Sequence, residues 1–361
     1  MNNKSNISLN PFCFTVPSVS TITIGFICVL IPHIIMLFIT KSYNSIILIL
    51  CSTISSCMVE IIDSIFIRKK NTDTLTALMQ GILIGMLIPS EFPPIALCCI
   101  VFFMLYISKY IFGSLASSWL NPIAITVICT YFIGTLWFPA YKLSIEQIQM
   151  QNLSLQLIQD GTFPVYKFDT NITDFLNEFL FSFLGTNIPD GYISLLWDSG
   201  STIPAFRFNL LTILASLILF SLKIIDWKLP TFYIGTYAVL VRLFCPMIVG
   251  GNFGNGDIIL SLLTGGTLFS AFFVASWFGT LPFTNVGKIF FGCILGISAF
   301  FISGYGLSAT GAMFSIFITN IVSLFIQVAE QKRNKSILIK KKIISAREKR
   351  EQENEYQKYC N

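Results

Sequence analysis

An ionisable side chain inside a long apolar run costs roughly 2.5–3.5 kcal/mol at the bilayer centre on insertion scales, so each one kept there marks chemistry or a pairing. Arg242 stands between Val241 and Leu243. It either holds an anion in a polar crevice or snorkels to the nearby interface. Glu60 and Asp63 lie about one helical turn apart. Together they can bind a cation in transit, or pair with Arg68 and Lys69. Asp257 follows Gly254-Asn255-Gly256 and is placed to cap a helix.

Histidine and cysteine offer less. The chain has one histidine, His33, beside Pro32 in an apolar run. It reads as a packed residue, and bis-histidine haem within the chain is excluded. None of the ten cysteines forms a CxxC pair. Cys98 and Cys99 are adjacent, so on a helix their side chains diverge. The cysteines read as small buried apolar residues. No catalytic residue and no metal site follows from these types and spacings.

Two prolines bear on the route an ion or cofactor would take. Asn121-Pro122 and Pro230, the latter with Gly235, fall early in apolar runs. Proline frees a backbone carbonyl. At membrane depth that carbonyl must be buried in protein or line a polar cavity.

The elements that position these residues follow from composition. Of 361 residues, 54% are hydrophobic and 11% charged, less than half the share of about 25% in ordinary globular chains. That excludes a soluble enzyme, a disordered chain and a nucleic-acid binder. The uninterrupted apolar runs exclude a transmembrane barrel, whose strands alternate. The expected fold is an all-α polytopic membrane protein embedded in the lipid bilayer. Ten runs approach the roughly 20 residues a span needs, at about 20–40, 43–66, 74–90, 93–112, 119–140, 206–223, 228–250, 257–277, 286–304 and 308–328.

Charge orients the set. With the N-terminus in the cytoplasm, eighteen basic residues face inward, and only Lys41, Lys142, Lys167 and Arg207 face outward. Both termini are then cytoplasmic, and residues 142–205, with seven acidic and two basic side chains, lie outside. Within them, Phe175 to Leu184 is too short to span and reads as an interfacial or packed helix. The tail 329–361 carries ten basic and five acidic residues. It reads as a solvated helix that helps set topology, and its Lys340-Lys341-Lys342 run can touch anionic lipid.

Five spans, an outer segment and five more spans imply duplication. Five is odd, so the second set is inverted relative to the first. The third run of each half carries glycine, at Gly81 and Gly85 and at Gly265-Gly266. The division is 1–141 for the first five-span repeat, 142–205 for the extracytoplasmic segment, 206–328 for the second repeat and 329–361 for the basic tail.

Ordered motifs then add a family. Asp73-Thr74-Leu75-Thr76-Ala77-Leu78 to Pro89 resembles "TALLLG…LPP". Lys109-Tyr110-Ile111-Phe112-Gly113-Ser114-Leu115, then Leu120-Asn121-Pro122, resembles "KHIFGGLG…FNPA". Phe183-Leu184-Gly185-Thr186-Asn187-Ile188-Pro189 is similar to "LGNIPG". Lys223-Ile224-Ile225-Asp226-Trp227-Lys228-Leu229-Pro230 with Gly235-Thr236 resembles "K-x-I-x-W-x-I-P…GT". Gly265-Gly266 to Ala275, then Pro282, Thr284, Gly287 and Phe291-Gly292, follow "SGG…GAFFMATDP…TSP…G…FG". In this order they resemble the RnfD/NqrB family, the large membrane subunit of Rnf and Na⁺-pumping NADH:quinone reductase complexes.

The resemblance implies a urea-transporter-like fold of two inverted five-helix repeats in the inner membrane. It also implies electron transfer within an ion-translocating complex, with other membrane subunits as partners and FMN as cofactor. The family joins FMN to a threonine by a phosphoester in an S-G-A-T-like motif outside the membrane. The best match here is Ser199-Gly200-Ser201-Thr202, with serine in place of alanine. On this reading Thr202 bears the phosphoester, Ser199, Gly200 and Ser201 leave room for the phosphate, and Arg242 is a candidate to hold it. By motif order Ser199 to Thr202 matches the family's following "GSxGE" turn instead, Thr162 in Asp160-Gly161-Thr162-Phe163-Pro164 is the order-consistent threonine, and a chain without covalent flavin is the third reading. The family's "ATDPVTSP" is here Ala275-Ser276-Trp277-Phe278-Gly279-Thr280-Leu281-Pro282, without the aspartate. Its "YPEG" acid is absent where Leu307-Ser308-Ala309-Thr310-Gly311 stands. Two other functions stay open. A solute transporter or channel would support uptake by the chain alone, and a cofactor-free structural subunit would co-purify with partners and carry no flavin.

Overall fold

The structure, a computed structural model, describes residues 18–67, 74–111, 118–139, 165–184, 188, 190–248, 253–254, 256–277, 279–305 and 310–360. Among them the regular structure is helical. The chain is a polytopic helical membrane protein. Among the described residues, four helices are each long and apolar enough alone to cross a bilayer. They are α1 (Val19–Ile39), α2 (Tyr43–Ile67), α11 (Asn285–Ala299), which a π-helical stretch Phe300–Tyr305 extends, and α12 (Gly311–Cys360).

Between these stand α3 (Thr74–Met86), α4 (Pro94–Ile111), α5 (Pro122–Ile133), α6 (Lys167–Leu176), α7 (Tyr192–Trp197), α8 (Asn209–Ser221), α9 (Lys228–Ile248) and α10 (Ile258–Thr264). Several apolar runs are thus not single helices. The 13 residues of α3 reach only about 20 Å at 1.5 Å per residue. The run expected over 257–277 breaks after α10, where Gly266 takes φ 64. It resumes as a turn at Thr267–Phe269 and a π-helical stretch at Ser270–Val274.

Asn121 explains the short α5. Its carboxamide oxygen accepts from the N–H groups of Ile123 and Ala124, and Pro122 takes the first position, where its missing N–H costs nothing. The same carboxamide donates to the carbonyl of Val274 at 2.8 Å. A carbonyl loosened by the π-helical stretch is thereby satisfied from the other half of the chain. Pro230, expected to break a span, does not. Helix α9 starts at Lys228, so Pro230 lies in the first turn, where N–H groups have no helical partner.

Neighbours recur in the two halves. Helix α2 packs on α3 and α4, and α4 on α5; α9 packs on α10 and α11, and α11 on α12. Helix α1 meets α8, and α5 meets α12. The glycines of the third runs do different work. An added Cβ at Gly81 would lie 2.5 Å from the Thr53 Cα. There α3 presses on α2, and Ser52 donates to the Gly81 carbonyl at 2.7 Å. Gly266 instead marks the break in its run.

Polar side chains gather at the two ends of the bundle. At one end Lys109 lies 2.5 Å from both Glu60 and Asp63. Their expected partners Arg68 and Lys69 lie outside the described residues. At that end also, Lys288 meets Asp226 at 2.9 Å, and Glu330 accepts from the N–H groups of Phe283 and Thr284. His33 is fully buried, with its Nε2 3.1 Å from the Thr212 hydroxyl and its ring edge-on to Phe269 and Phe273. The cysteines depart from expectation. Among the described residues Cys28 and Cys99 are exposed, and Cys51, Cys57, Cys98, Cys129 and Cys293 are half-buried rather than buried. The stretch Phe175 to Leu184 is helical, continuing α6 through Asn177–Phe181 and Ser182–Leu184. Phe175, Phe179 and Phe183 stand out from it, Phe183 at 91% exposure.

Candidate functional site

The second end of the bundle collects the turn after α1, the loop after α3 and the stretch 198–207. A sequence of buried polar contacts fixes their positions. Asp169 on α6 is fully buried. One of its oxygens accepts from the Ser194 N–H at 2.6 Å and the Ser194 hydroxyl at 2.5 Å; the other accepts from the Gly191 N–H at 3.0 Å and the Thr173 hydroxyl at 2.9 Å. Burial alone would raise this carboxyl. The bonds from Ser194, Gly191 and Thr173 outweigh it and hold the carboxyl below the usual carboxylate range. Helix α6 is thereby fastened to α7.

Helix α7 rests on the ends of α8 and α10. Asn209 donates to the carbonyls of Leu195 at 3.1 Å and Leu263 at 2.9 Å. Tyr192 donates its hydroxyl to Asp257. Asp257 in turn caps α10 by accepting from the Leu260 N–H, the role expected of it.

At the end of α7, Asp198 binds Arg207 through both carboxylate oxygens, at 2.7 and 2.8 Å. The Asp198 side chain is 4% exposed and that of Arg207 19%. The third guanidinium contact is donated to the Ser42 hydroxyl at 2.6 Å, and so joins the stretch to the turn after α1. Planar bidentate pairing fixes direction as well as distance.

Between these anchors runs Ser199-Gly200-Ser201-Thr202. Ser199 donates its hydroxyl to the Phe206 carbonyl at 2.8 Å and its N–H to the Arg207 carbonyl at 3.0 Å. Gly200 takes φ 66, a left-handed conformation that favours glycine. Its N–H binds Asp198 at 2.9 Å. The Ser201 hydroxyl accepts from the Ile203 N–H at 3.2 Å, so serine in place of alanine turns back onto its own loop. The Thr202 carbonyl accepts from the Ser90 N–H at 2.9 Å. Thr202 itself is exposed, and its hydroxyl makes no hydrogen bond among the described residues.

Thr202 opens onto an open cleft of about 210 Å³, lined with Lys41, Ser42, Ser90, Ser201 and Arg207 among others. Two cations and several hydroxyls around a free threonine hydroxyl suit a phosphate ester. Pockets that enclose drug-sized ligands run to roughly 300–1,000 Å³. This cleft has room for the phosphate and a short polyol, not for a tricyclic ring as well. The donor set therefore fits the phosphate end of FMN.

Of the expected residues, Ser201 and Thr202 line the cleft, and Ser199 and Gly200 form the turn before them. Arg242 does not line the cleft. It is exposed, and its guanidinium donates to the Gly256 carbonyl at 3.0 Å, bracing α9 against the start of α10. Thr162 lies outside the described residues. Sequence reading missed Lys41, Ser42, Ser90 and the Asp198–Arg207 pair as site residues. One local signal was legible. Leu37-Phe38-Ile39-Thr40-Lys41 and Leu219-Phe220-Ser221-Leu222-Lys223 repeat Leu-Phe-x-x-Lys at the ends of α1 and α8.

Comparison with known proteins gives a consistent picture. Residues 6–336 match the model of the NQR2, RnfD, RnfE family. One subunit of the ion-translocating oxidoreductase complex of Aliivibrio salmonicida is 26% identical over 270 residues, 68% of this chain and 73% of the relative. One subunit of the proton-translocating ferredoxin:NAD(+) oxidoreductase complex of Clostridium ljungdahlii is 26% identical over 284 residues, 75% of this chain and 78% of the relative.

Proposed function

Because the chain belongs to the NQR2, RnfD, RnfE family, we propose that it is the large membrane subunit of an ion-translocating electron-transport complex and relays electrons through FMN carried on Thr202. The observation that carries this reading is the free Thr202 hydroxyl at a cleft lined with Lys41 and Arg207. On this reading the bundle is ten spans in two inverted repeats in the inner membrane, with both termini cytoplasmic and the cleft outside. The recurring neighbours of the two halves support the repeat. The gathering of Lys109, Lys228 and Lys288 at the end opposite the cleft, together with the basic tail, supports the orientation.

FMN, when bound, supplies the redox chemistry, and the protein supplies binding, orientation and electrostatics. The chain's residues have simpler tasks. Thr202 anchors the phosphate by its oxygen. Gly200, left-handed at φ 66, sets the turn that presents Ser201 and Thr202. Ser199 and the Asp198–Arg207 pair hold the loop to one geometry, so the carrier has a fixed place relative to the membrane. A fixed carrier exchanges electrons only with groups brought to it, so other membrane subunits of the complex are the expected partners.

The test uses the chain co-expressed with its companion subunits and a flavin-attaching enzyme. Membranes are denatured, run on a gel and viewed under ultraviolet light. A fluorescent band at the 40.4 kDa of this chain, absent from Thr202→Ala, is expected. A dark wild-type band removes the covalent flavin. Solute uptake by vesicles holding this chain alone would replace the electron-transfer reading with that of a transporter.

A further inference from the structure

The turn that ends α1 carries a cation where helix ends usually carry glycine. The Thr40 N–H binds the Met36 carbonyl at 2.9 Å, and the Ser42 N–H reaches back to the Leu37 carbonyl at 2.9 Å. Lys41 lies between them at φ 56. This closure ordinarily places glycine at the left-handed position, because a side chain is strained there. Lys223 takes the same conformation at φ 55, so what sets Lys41 apart is its surroundings.

The surroundings here are the cleft. Lys41 is exposed, lines the cleft with Thr202 and makes no ion pair among the described residues. The other cation of the cleft is already neutralised, since Arg207 gives two of its contacts to Asp198 and the third to Ser42. With that pair cancelled, the lining holds one uncompensated positive charge. A phosphodiester holds one negative charge.

We propose that Lys41 is the cationic partner of the phosphodiester that joins Thr202 to its flavin. The inference rests on the Thr202 reading above. Lysine suits the task as a compact charge with rotatable donors on a long stem.

The experiment compares wild type, Lys41→Gln, Lys41→Gly, Lys41→Arg and Lys223→Gly in the co-expressed complex. Flavin fluorescence per chain is read after a short induction, and the ³¹P resonance of the attached group is read on the labelled fraction. Loss of the charge-assisted contact predicts about tenfold less labelling in Lys41→Gln and Lys41→Gly. Their ³¹P line moves, while Lys41→Arg stays near wild type in both readouts. Lys41→Gly keeps a wild-type thermal midpoint, since glycine is the preferred residue at that turn. Lys223→Gly changes neither readout. An unmoved ³¹P line in Lys41→Gln overturns the proposal, even if labelling falls, because the defect would then belong to the attaching enzyme. A dark wild-type chain fails the Thr202 reading itself, whatever Lys41 does.

Discussion

Lys41 and Lys223 occupy the same place on two different helices. Each follows the last turn of its helix in the left-handed region, at φ 56 and 55. Each is spanned by a reaching-back N–H, from Ser42 to Leu37 and from Ile224 to Leu219. Lys41 stands at the end of α1 and Lys223 at the end of α8. The two helices open the two halves of the chain and pack on each other. Only Lys41 faces the cleft.

This pair yields a matched control for backbone strain. At a left-handed position a side chain costs roughly 1–2 kcal/mol, which glycine avoids. Lys223→Gly is expected to leave flavin content at the wild-type level. A fall in flavin content would sink the distinction between the two turns.

Arg207 should matter more to the loop than to the bundle. Arg207→Ala leaves the nearly buried Asp198 carboxylate with the Gly200 N–H but without its bidentate partner. A loss of about 2–3 kcal/mol in local stability is expected. Limited proteolysis within 198–207 measures it. Arg207→Lys should recover little, because an ammonium cannot reproduce the forked contact.

Acid should act on the cap formed by α6 and α7 through Asp169. Its carboxyl is held below the usual range, so its contribution is fully present above an ordinary carboxylate pKa of about 4. That contribution is lost as pH falls through the lower folded value. Wild-type protein titrated downward from neutral should therefore keep the cap closed to about pH 4 and loosen below it. Asp169→Asn should be loose already at neutral pH, because its amide NH₂ would face donors from Ser194, Gly191 or Thr173. Protease sensitivity of 165–200 across the titration reads both outcomes, and identical profiles would refute the role.

Asn121 couples α5 to the broken run of the other half. Asn121→Ala removes the cap of α5 and leaves the Val274 carbonyl to the Trp277 N–H at 3.3 Å, at a combined cost of about 1–3 kcal/mol. A lowered thermal midpoint with the protein still inserted is expected. Asn121→Asp should restore the cap but not the donor to Val274, and so recover only part of the loss. Full recovery would show that the contact with Val274 contributes nothing.

Much of the fold was legible because membrane insertion is a one-dimensional problem. Run length, charge count and the Asn121-Pro122 punctuation lie along the chain, and each acts on its own segment. The long helices α1, α2 and α9 follow the apolar runs closely. The misreadings have local physical causes. Pro230 was read as a break because composition does not reveal that α9 starts only two residues before it. The run over 257–277 was read as one helix, although Gly266 turns left-handed within it. Arg242 had two readings, an anion partner or a snorkelling side chain, and the structure adds its contact to the Gly256 carbonyl.

The amino-acid order alone determined that this chain lives in a bilayer, which segments are apolar enough to enter it, which family it belongs to and that Thr202 was worth watching. Those properties follow from transfer free energies and from short strings, and neither needs to know what lies beside what. The cleft was decided only by tertiary structure. Lys41, Ser90 and Arg207 come from three separate stretches, and only the packing of α1, α3 and α8 sets them around one threonine. Electrostatic recognition depends on distance through space, and a sequence records distance only along the chain.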